Sequence, residues 1–163
     1  MALMDAPEFD ERKEDRRSKL LIGSGVLVVG LLVFTLAGFV AGHGWAFSNL
    51  LVERKVNHFF AALEAKDYGK AYAIYTNDPD WKQHPEKHLN YDLQRFTEDW
   101  TIDSPINAPI VSHHVDISRT DGSGAFGSGI IVAVKVNGDH KIFMYYTRTD
   151  GALTWPAPHI LEY

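Results

Sequence analysis

Residues 20–42 read LLIGSGVLVVGLLVFTLAGFVAG, an unbroken stretch without one charged side chain. An α-helix rises 1.5 Å per residue, so about 20 apolar residues cross the hydrocarbon core of a bilayer. This run is long enough to span. A buried core helix would carry a polar face, and here only Ser24 and Thr35 are polar. A cleaved signal peptide would have an apolar region of about 7–15 residues and a small-x-small exit. The exit is weakly present at 37–42, but the run is too long, which favours an uncleaved signal anchor.

The flanks orient it. Arg12, Lys13, Arg16, Arg17 and Lys19 precede the run, whereas only Arg54 and Lys55 occupy the equivalent window beyond it. Lys and Arg resist translocation, so the N-terminus is expected in the cytoplasm and the rest outside. Asp10, Glu11, Glu14 and Asp15 nearly cancel the basic residues, which argues against a headgroup- or nucleic-acid-binding tail. Lys19 and Trp45 fall at the two expected membrane interfaces, Trp45 flanked by His43 and Phe47. Within the span, Gly38 and Gly42 form a GxxxG, and Ala37 with Ala41 a second small-xxx-small pair. Such residues let helix backbones approach closely. They mark a packing face for another copy or another membrane subunit, or simply the usual abundance of Gly and Ala in such helices.

The chain therefore divides into a charged tail (1–19), a transmembrane helix (20–42), an interfacial linker (43–50) and an outer domain (51–163). The outer part suffices for one small core. It contains no cysteine, so no disulfide supports it, which suits a bacterial inner-membrane protein with a periplasmic domain. With a net charge of −5, nucleic acid is not an expected partner.

Periodicity splits this domain. Val52, Val56, Phe59 and Leu63 recur at helical spacing, with Phe60 and Ala62 widening the stripe. This helix is expected to start near Ser48 or Asn49, both good N-caps, and to end around Lys66-Asp67. Tyr68, Ala71, Tyr72 and Tyr75 predict a second helix closing before Asn77-Asp78-Pro79. A polar loop follows over 80–87, and Leu89, Leu93, Phe96 and Trp100 predict a third helix. After Trp100 the period becomes two. Segments 110–119, 129–137, 140–148 and 152–163 read as strands, with Asn137-Gly138 and Asp150-Gly151 as two-residue hairpin signals. Pro156 and Pro158 confine the last to an edge or to partial pairing. The fold class is α+β: a transmembrane helix, then about three helices packed on a curved four-stranded antiparallel sheet.

The run FFAALEAKDYGKAYAIYTND (59–78), a following helix ending in FTEDW and then a strand meander resemble the nuclear-transport-factor-2-like superfamily. That resemblance implies a cone, with helices wrapped by a curved sheet around a cavity. It leaves function open, because the fold hosts isomerases, dehydratases, hydrolases and non-catalytic domains. A cytoplasmic tail, one membrane helix and an outer domain of this fold is also similar in layout to the inner-membrane scaffold component of type IV secretion systems.

Enzymes of that fold place a carboxylate or histidine base in the cavity, its pKa shifted by burial. Alternation puts His113 on the apolar face with Val111, Val115 and Ile117, and His114 with Asp116 on the polar face. His113, Tyr145 and Tyr146 are the residues that could line a cavity. Each reads as readily as a core or interface residue with a satisfied polar tip. No carboxylate falls on the central strands. His84 and His88 sit four apart in HPEKH with Asp78 and Asp80 upstream, but the order matches neither HExxH nor HxxEH, and a polar loop is the plainer reading. GSGAFGSG (122–129) lacks the lysine of a phosphate loop. No cysteine is available for thiol or c-type haem chemistry. No cofactor or metal is expected.

The expected role is a non-catalytic accessory or scaffold subunit of a membrane complex, its partners the lipid bilayer and other membrane subunits or a second copy. The alternatives are a tethered module binding a small ligand in the cone, or an enzyme of the same fold.

Overall fold

A computed structural model describes residues 11–44, 46–122 and 127–161. Trp45, assigned to the outer membrane interface, lies outside the described residues. The chain divides into one unit ending at Ala37 and a second, compact unit beginning at Gly38.

Helix α1 spans Glu11–Val40, so it starts well before the apolar run. The charged segment ahead of Leu20 is rich in strong helix formers, and Lys19 pairs with Asp15 at 3.6 Å across one turn. The apolar side chains are solvent-facing, with Leu20 74% and Val40 83% exposed. The two hydroxyls in the run bond their own helix: Ser24 to the Leu21 carbonyl at 2.9 Å and Thr35 to that of Leu31 at 2.8 Å. No polar group of these side chains is left for an apolar surrounding to penalise. Among the described residues, α1 is the one helix long and apolar enough to cross a membrane.

The helix stops at Val40, two residues short of the expected end. Gly42 turns left-handed (φ +86), its N–H bonding the Phe39 carbonyl at 3.1 Å while His43 N–H bonds that of Gly38 at 2.9 Å. This is a Schellman closure with glycine where a side chain would strain the backbone.

Helix α2, Ala46–Glu64, begins earlier than the N-cap reading of Ser48 or Asn49 predicts, so most of the expected linker is helical. It closes at Lys66 (φ 57). Helix α3, Tyr68–Thr76, is capped by Asp67, which accepts from Lys70 N–H, and ends at left-handed Asn77. Two 3-10 turns, Trp81–Gln83 and Pro85–Lys87, occupy the expected polar loop. Helix α4 is short, Leu93–Asp99, with Asp92 as N-cap. Leu89, 80% exposed, lies outside it.

The sheet is open and antiparallel in the order β1-β2-β3-β4: His113–Asp121, Gly129–Val136, His140–Thr147 and Leu153–Thr154. Both hairpin signals fall in hairpins, though the loops are longer than two residues. Val136 pairs with His140, leaving Asn137, Gly138 and Asp139 as the first loop. The Thr147 N–H to Ala152 carbonyl bond closes the second. The last strand is only Leu153–Thr154, as its prolines require.

A bulge between Val115 and Ile117 corrects the face assignment of β1. The extra residue flips parity: Val115 opposes Val134, whereas Ile117 opposes Ala133 and Ser118 opposes Val132. Ser118 therefore shares the helix-facing side with Val132, and Ile117 does not.

Between sheet and helices the core is aromatic. Phe59, Phe60, Tyr72 and Phe96 are fully buried and Trp100 nearly so. Phe59 meets Phe60 at 5.1 Å, Tyr75 at 5.7 Å, Phe96 at 6.2 Å and Trp100 at 4.9 Å between ring centroids. Each fully buried large side chain of this kind contributes about 1.5–3 kcal/mol.

Candidate functional site

The first half of α2 buries polar groups where the second half buries rings. Asn49 and Ser118 are fully buried and Glu53 nearly so. Ser118 Oγ donates to Glu53 Oε1 at 2.6 Å. Asn49 Nδ2 reaches Ser118 Oγ at 3.1 Å and the Ser118 carbonyl at 3.3 Å. His43 Nδ1 donates to the same Glu53 oxygen at 2.9 Å, and Ser118 N–H bonds the Gly42 carbonyl at 3.1 Å. The turn that follows α1 is thus pinned to α2 and β1. Its glycines are needed for contact as well as conformation. A Cβ on Gly44 (φ +56) would stand 2.4 Å from Asn49 Nδ2, and one on Gly42 would stand 2.8 Å from Ile117 Cγ2.

Of the proposed helix-packing residues, Ala37 and Gly38 lie in α1, whereas Ala41 and Gly42 lie in the turn. The GxxxG is therefore not a continuous helix face, because its second glycine is the left-handed cap. Lys19 lies on α1 with its side chain 79% exposed.

The three residues that could line a cavity are dispersed. His113 is a satisfied core histidine: Nδ1 meets Glu64 Oε1 at 2.6 Å, Nε2 meets Asn57 Oδ1 at 3.1 Å, and the ring stacks on Phe60. Tyr145 bonds Ser128 at 3.0 Å on the opposite side of the sheet from the core. Tyr146 packs at the edge of the core with Lys55 Nζ 5.8 Å above its ring. The space between the helices and the sheet is filled by the aromatic cluster.

Asp78, His84 and His88 do converge. Asp78 Oδ2 accepts from His84 Nδ1 at 2.8 Å and His88 Nε2 at 3.2 Å. His88 Nδ1 stands 2.9 Å from the Tyr72 hydroxyl, which itself donates to the Tyr91 carbonyl at 2.5 Å. The Tyr72 proton is thus engaged by the Tyr91 carbonyl, and a carboxylate stands at the other His88 nitrogen. Desolvation would raise the Asp78 pKa, but the hydrogen bonds from His84 and His88 outweigh it and hold the carboxyl below its ordinary 3.8. The cluster borders a 480 Å³ recess with Tyr75, Tyr91 and Leu153. Burial pushes the pKa values of the Tyr72, Tyr75 and Tyr91 hydroxyls up, so they stay protonated, and that of Tyr75 accepts from Trp155 N–H at 3.2 Å. Among the described residues, no group of three His, Asp or Glu is arranged to hold a metal ion.

Elsewhere an open groove of 870 Å³ lies between α2, α3 and the first 3-10 turn. Its lining includes Leu51, Arg54, His58, Lys70, Trp81 and Lys82. They come from three elements, α2, α3 and the first 3-10 turn, and no sequence motif joins them. Lys55 at its edge donates to Asn77 Oδ1 and the Gly151 carbonyl, both at 2.6 Å. Desolvation lowers its pKa, opposed in part by Asp150.

Compared with known proteins, the chain matches no family model, no curated protein and no solved structure.

Proposed function

We propose that this chain is a single-pass membrane protein, N-terminus in the cytoplasm and α+β domain outside, that serves as an accessory or scaffold subunit of a larger membrane complex. The observation that carries the reading is the contrast between its surfaces. Helix α1 exposes its apolar side chains along its length, and such a surface needs lipid or another helix. The interior of the outer domain, where an enzyme of similar shape would hold its substrate, is occupied by Phe59, Phe96 and Trp100. Asp78, His84 and His88 bond one another, and His88 also meets the Tyr72 hydroxyl. What remains for function is surface.

The turn after α1 supports the same reading. Residues 38–44 belong to the compact outer unit and are held by Ser118, Asn49 and Glu53 instead of forming a loose tether. Extraction of native membranes in a mild detergent, followed by sizing and identification of co-purifying chains, tests the proposal. The expected result is an assembly larger than one chain, with a constant ratio of components. A lone monomer retaining its fold overturns it.

A further inference from the structure

Two helix walls and a tryptophan shape the groove between α2, α3 and the first 3-10 turn. Leu51, Arg54 and His58 follow one another at helical spacing along α2, and Lys70, Ala73 and Asn77 do the same along α3. Seven residues of helix make each wall about 10 Å long. Lys55 ties the walls together by donating to Asn77 Oδ1 at 2.6 Å. The third side is Trp81, whose ring meets the fully buried Tyr72 edge-on at 5.2 Å and carries Lys82 Nζ 5.5 Å from its centroid.

Charge and apolar surface are both concentrated here. Arg54, Lys55, Lys70 and Lys82 stand in the lining against Asp67 and Asp80, a cationic excess in a chain whose net charge is −5. Asp67 is already engaged as the α3 N-cap. Among the described residues, no carboxylate pairs with Arg54, Lys70 or Lys82. The same lining carries Leu51, which is 65% exposed, together with Ala73, Ile74 and Trp81.

The form of the groove selects its occupant. A small-molecule site buries about 70–90% of its ligand's surface, whereas this groove is open. An extended peptide is recognised through the backbone of a sheet edge. Here the two long walls are helices, whose N–H and C=O groups already bond within them. What they offer is side chains at helical spacing, apolar ones with cations around them. The complement is an amphipathic helix whose apolar stripe is flanked by carboxylates.

We propose that this groove seats an acidic amphipathic helix of a partner subunit, its apolar stripe on Leu51, Ile74 and Trp81 and its carboxylates on Arg54, Lys70 and Lys82. The inference rests on the reading of the chain as a subunit of a complex, and adds the surface that receives the partner. The full chain in phosphatidylcholine nanodiscs is titrated with a fluorescent peptide of about 14 residues, glutamate-rich with leucines at helical spacing. Its anisotropy is read against empty nanodiscs, and saturable one-to-one binding is expected. The triple variant Arg54→Gln, Lys70→Gln, Lys82→Gln weakens binding about tenfold or more, since each exposed pair is worth up to about fivefold. The reversed variant Arg54→Glu, Lys70→Glu, Lys82→Glu recovers binding to the same peptide with lysine in place of glutamate. A peptide of unchanged composition with its leucines moved off the stripe binds about tenfold more weakly.

No binding beyond empty nanodiscs, equal binding by the glutamine variant, or equal binding of the rearranged peptide overturns the site. So does displacement by inorganic phosphate beyond that by sodium chloride at equal ionic strength, because the groove would then take a small anion. Sizing of the mild-detergent extract separates the groove from the reading beneath it. A wild-type chain running as a lone monomer overturns the subunit reading. A wild-type assembly that the reversed variant leaves intact overturns the groove alone.

Discussion

The two halves of α2 solve burial in opposite ways. Its second half presses Phe59, Phe60 and Leu63 into a nest of rings whose contacts are many, apolar and mutually replaceable. Its first half buries Asn49 and Glu53, which is tolerable only because Ser118 and His43 supply partners at fixed distances. Apolar packing is non-directional and yields stability in proportion to area. A buried polar network contributes little net stability but penalises every alternative geometry, because each unmade bond costs its full desolvation. The aromatic half therefore holds the domain together, and the polar half fixes the Gly42–Gly44 turn within it.

The contrast breaks first at its aromatic end. Phe59→Ala removes a fully buried ring with four aromatic neighbours and should cost about 3–5 kcal/mol. Denaturant titration of the full chain in detergent, followed by near-UV circular dichroism, reads this directly. A loss below about 1 kcal/mol would mean that the rings are not packed as described.

Gly44→Ala tests the polar end more gently. The new Cβ meets a buried amide that has nowhere to retreat, at a backbone angle that disfavours it. Strain and overpacking together predict a loss of about 2–4 kcal/mol. Asn49→Ala in the same chain removes the clash, so the double variant should lose less than the sum of the two singles. Strict additivity would show that the turn does not rest on Asn49.

Ser118→Ala should cost about 1–3 kcal/mol by leaving Glu53 and Asn49 short of a partner. If the junction fixes geometry more than it stabilises, hydrogen exchange in residues 46–53 should rise more than the global stability falls. A uniform rise across the domain would assign Ser118 an ordinary packing role.

The same division separates what the sequence reveals from what it hides. Val52, Val56, Phe59 and Leu63 announce their helix because apolar burial leaves a periodic trace. Asn49 does not: a polar residue near a helix start reads as a local cap, and what redirects it is Ser118, 69 positions away. Ile117 is misplaced by alternation for a related reason, since a bulge adds one residue to the count without changing composition. The hairpins at Asn137-Gly138 and Asp150-Gly151 are legible because left-handed turns demand those residue types. The groove is not, since Arg54, Lys70 and Lys82 look like solvated charges until tertiary structure gathers them.

A second polar cluster, less buried than the junction, gives a pH-dependent comparison. Asp78 is held below its ordinary pKa of 3.8 in the folded chain by His84 and His88. A carboxylate with a depressed folded pKa stabilises above its unfolded pKa, and that contribution fades as pH falls through the lower folded value. Asp78→Asn should therefore lower the melting temperature at neutral pH and flatten the acid limb below about pH 4. An identical acid limb in both proteins would mean that the two histidines do not engage this carboxylate in solution.

The smallest effect is expected at the far end of α2, and it has the opposite sign. Lys66 adopts φ 57 to close the helix, with its N–H on the Leu63 carbonyl and that of Asp67 on Ala62, both at 2.9 Å. Geometrically this is the closure seen at Gly42, but Lys66 is exposed and carries a side chain in a region that disfavours one. Lys66→Gly relieves that strain while freeing the unfolded chain, so a net gain of about 0.5–1 kcal/mol is expected. Replacing Gly42 by Lys makes the reverse test, because there Ile117 closes over the backbone and the loss should be several times larger than the gain at Lys66. Effects of equal size at the two turns would mean that conformation alone, and not the contact with β1, determines why the turn after α1 carries glycine.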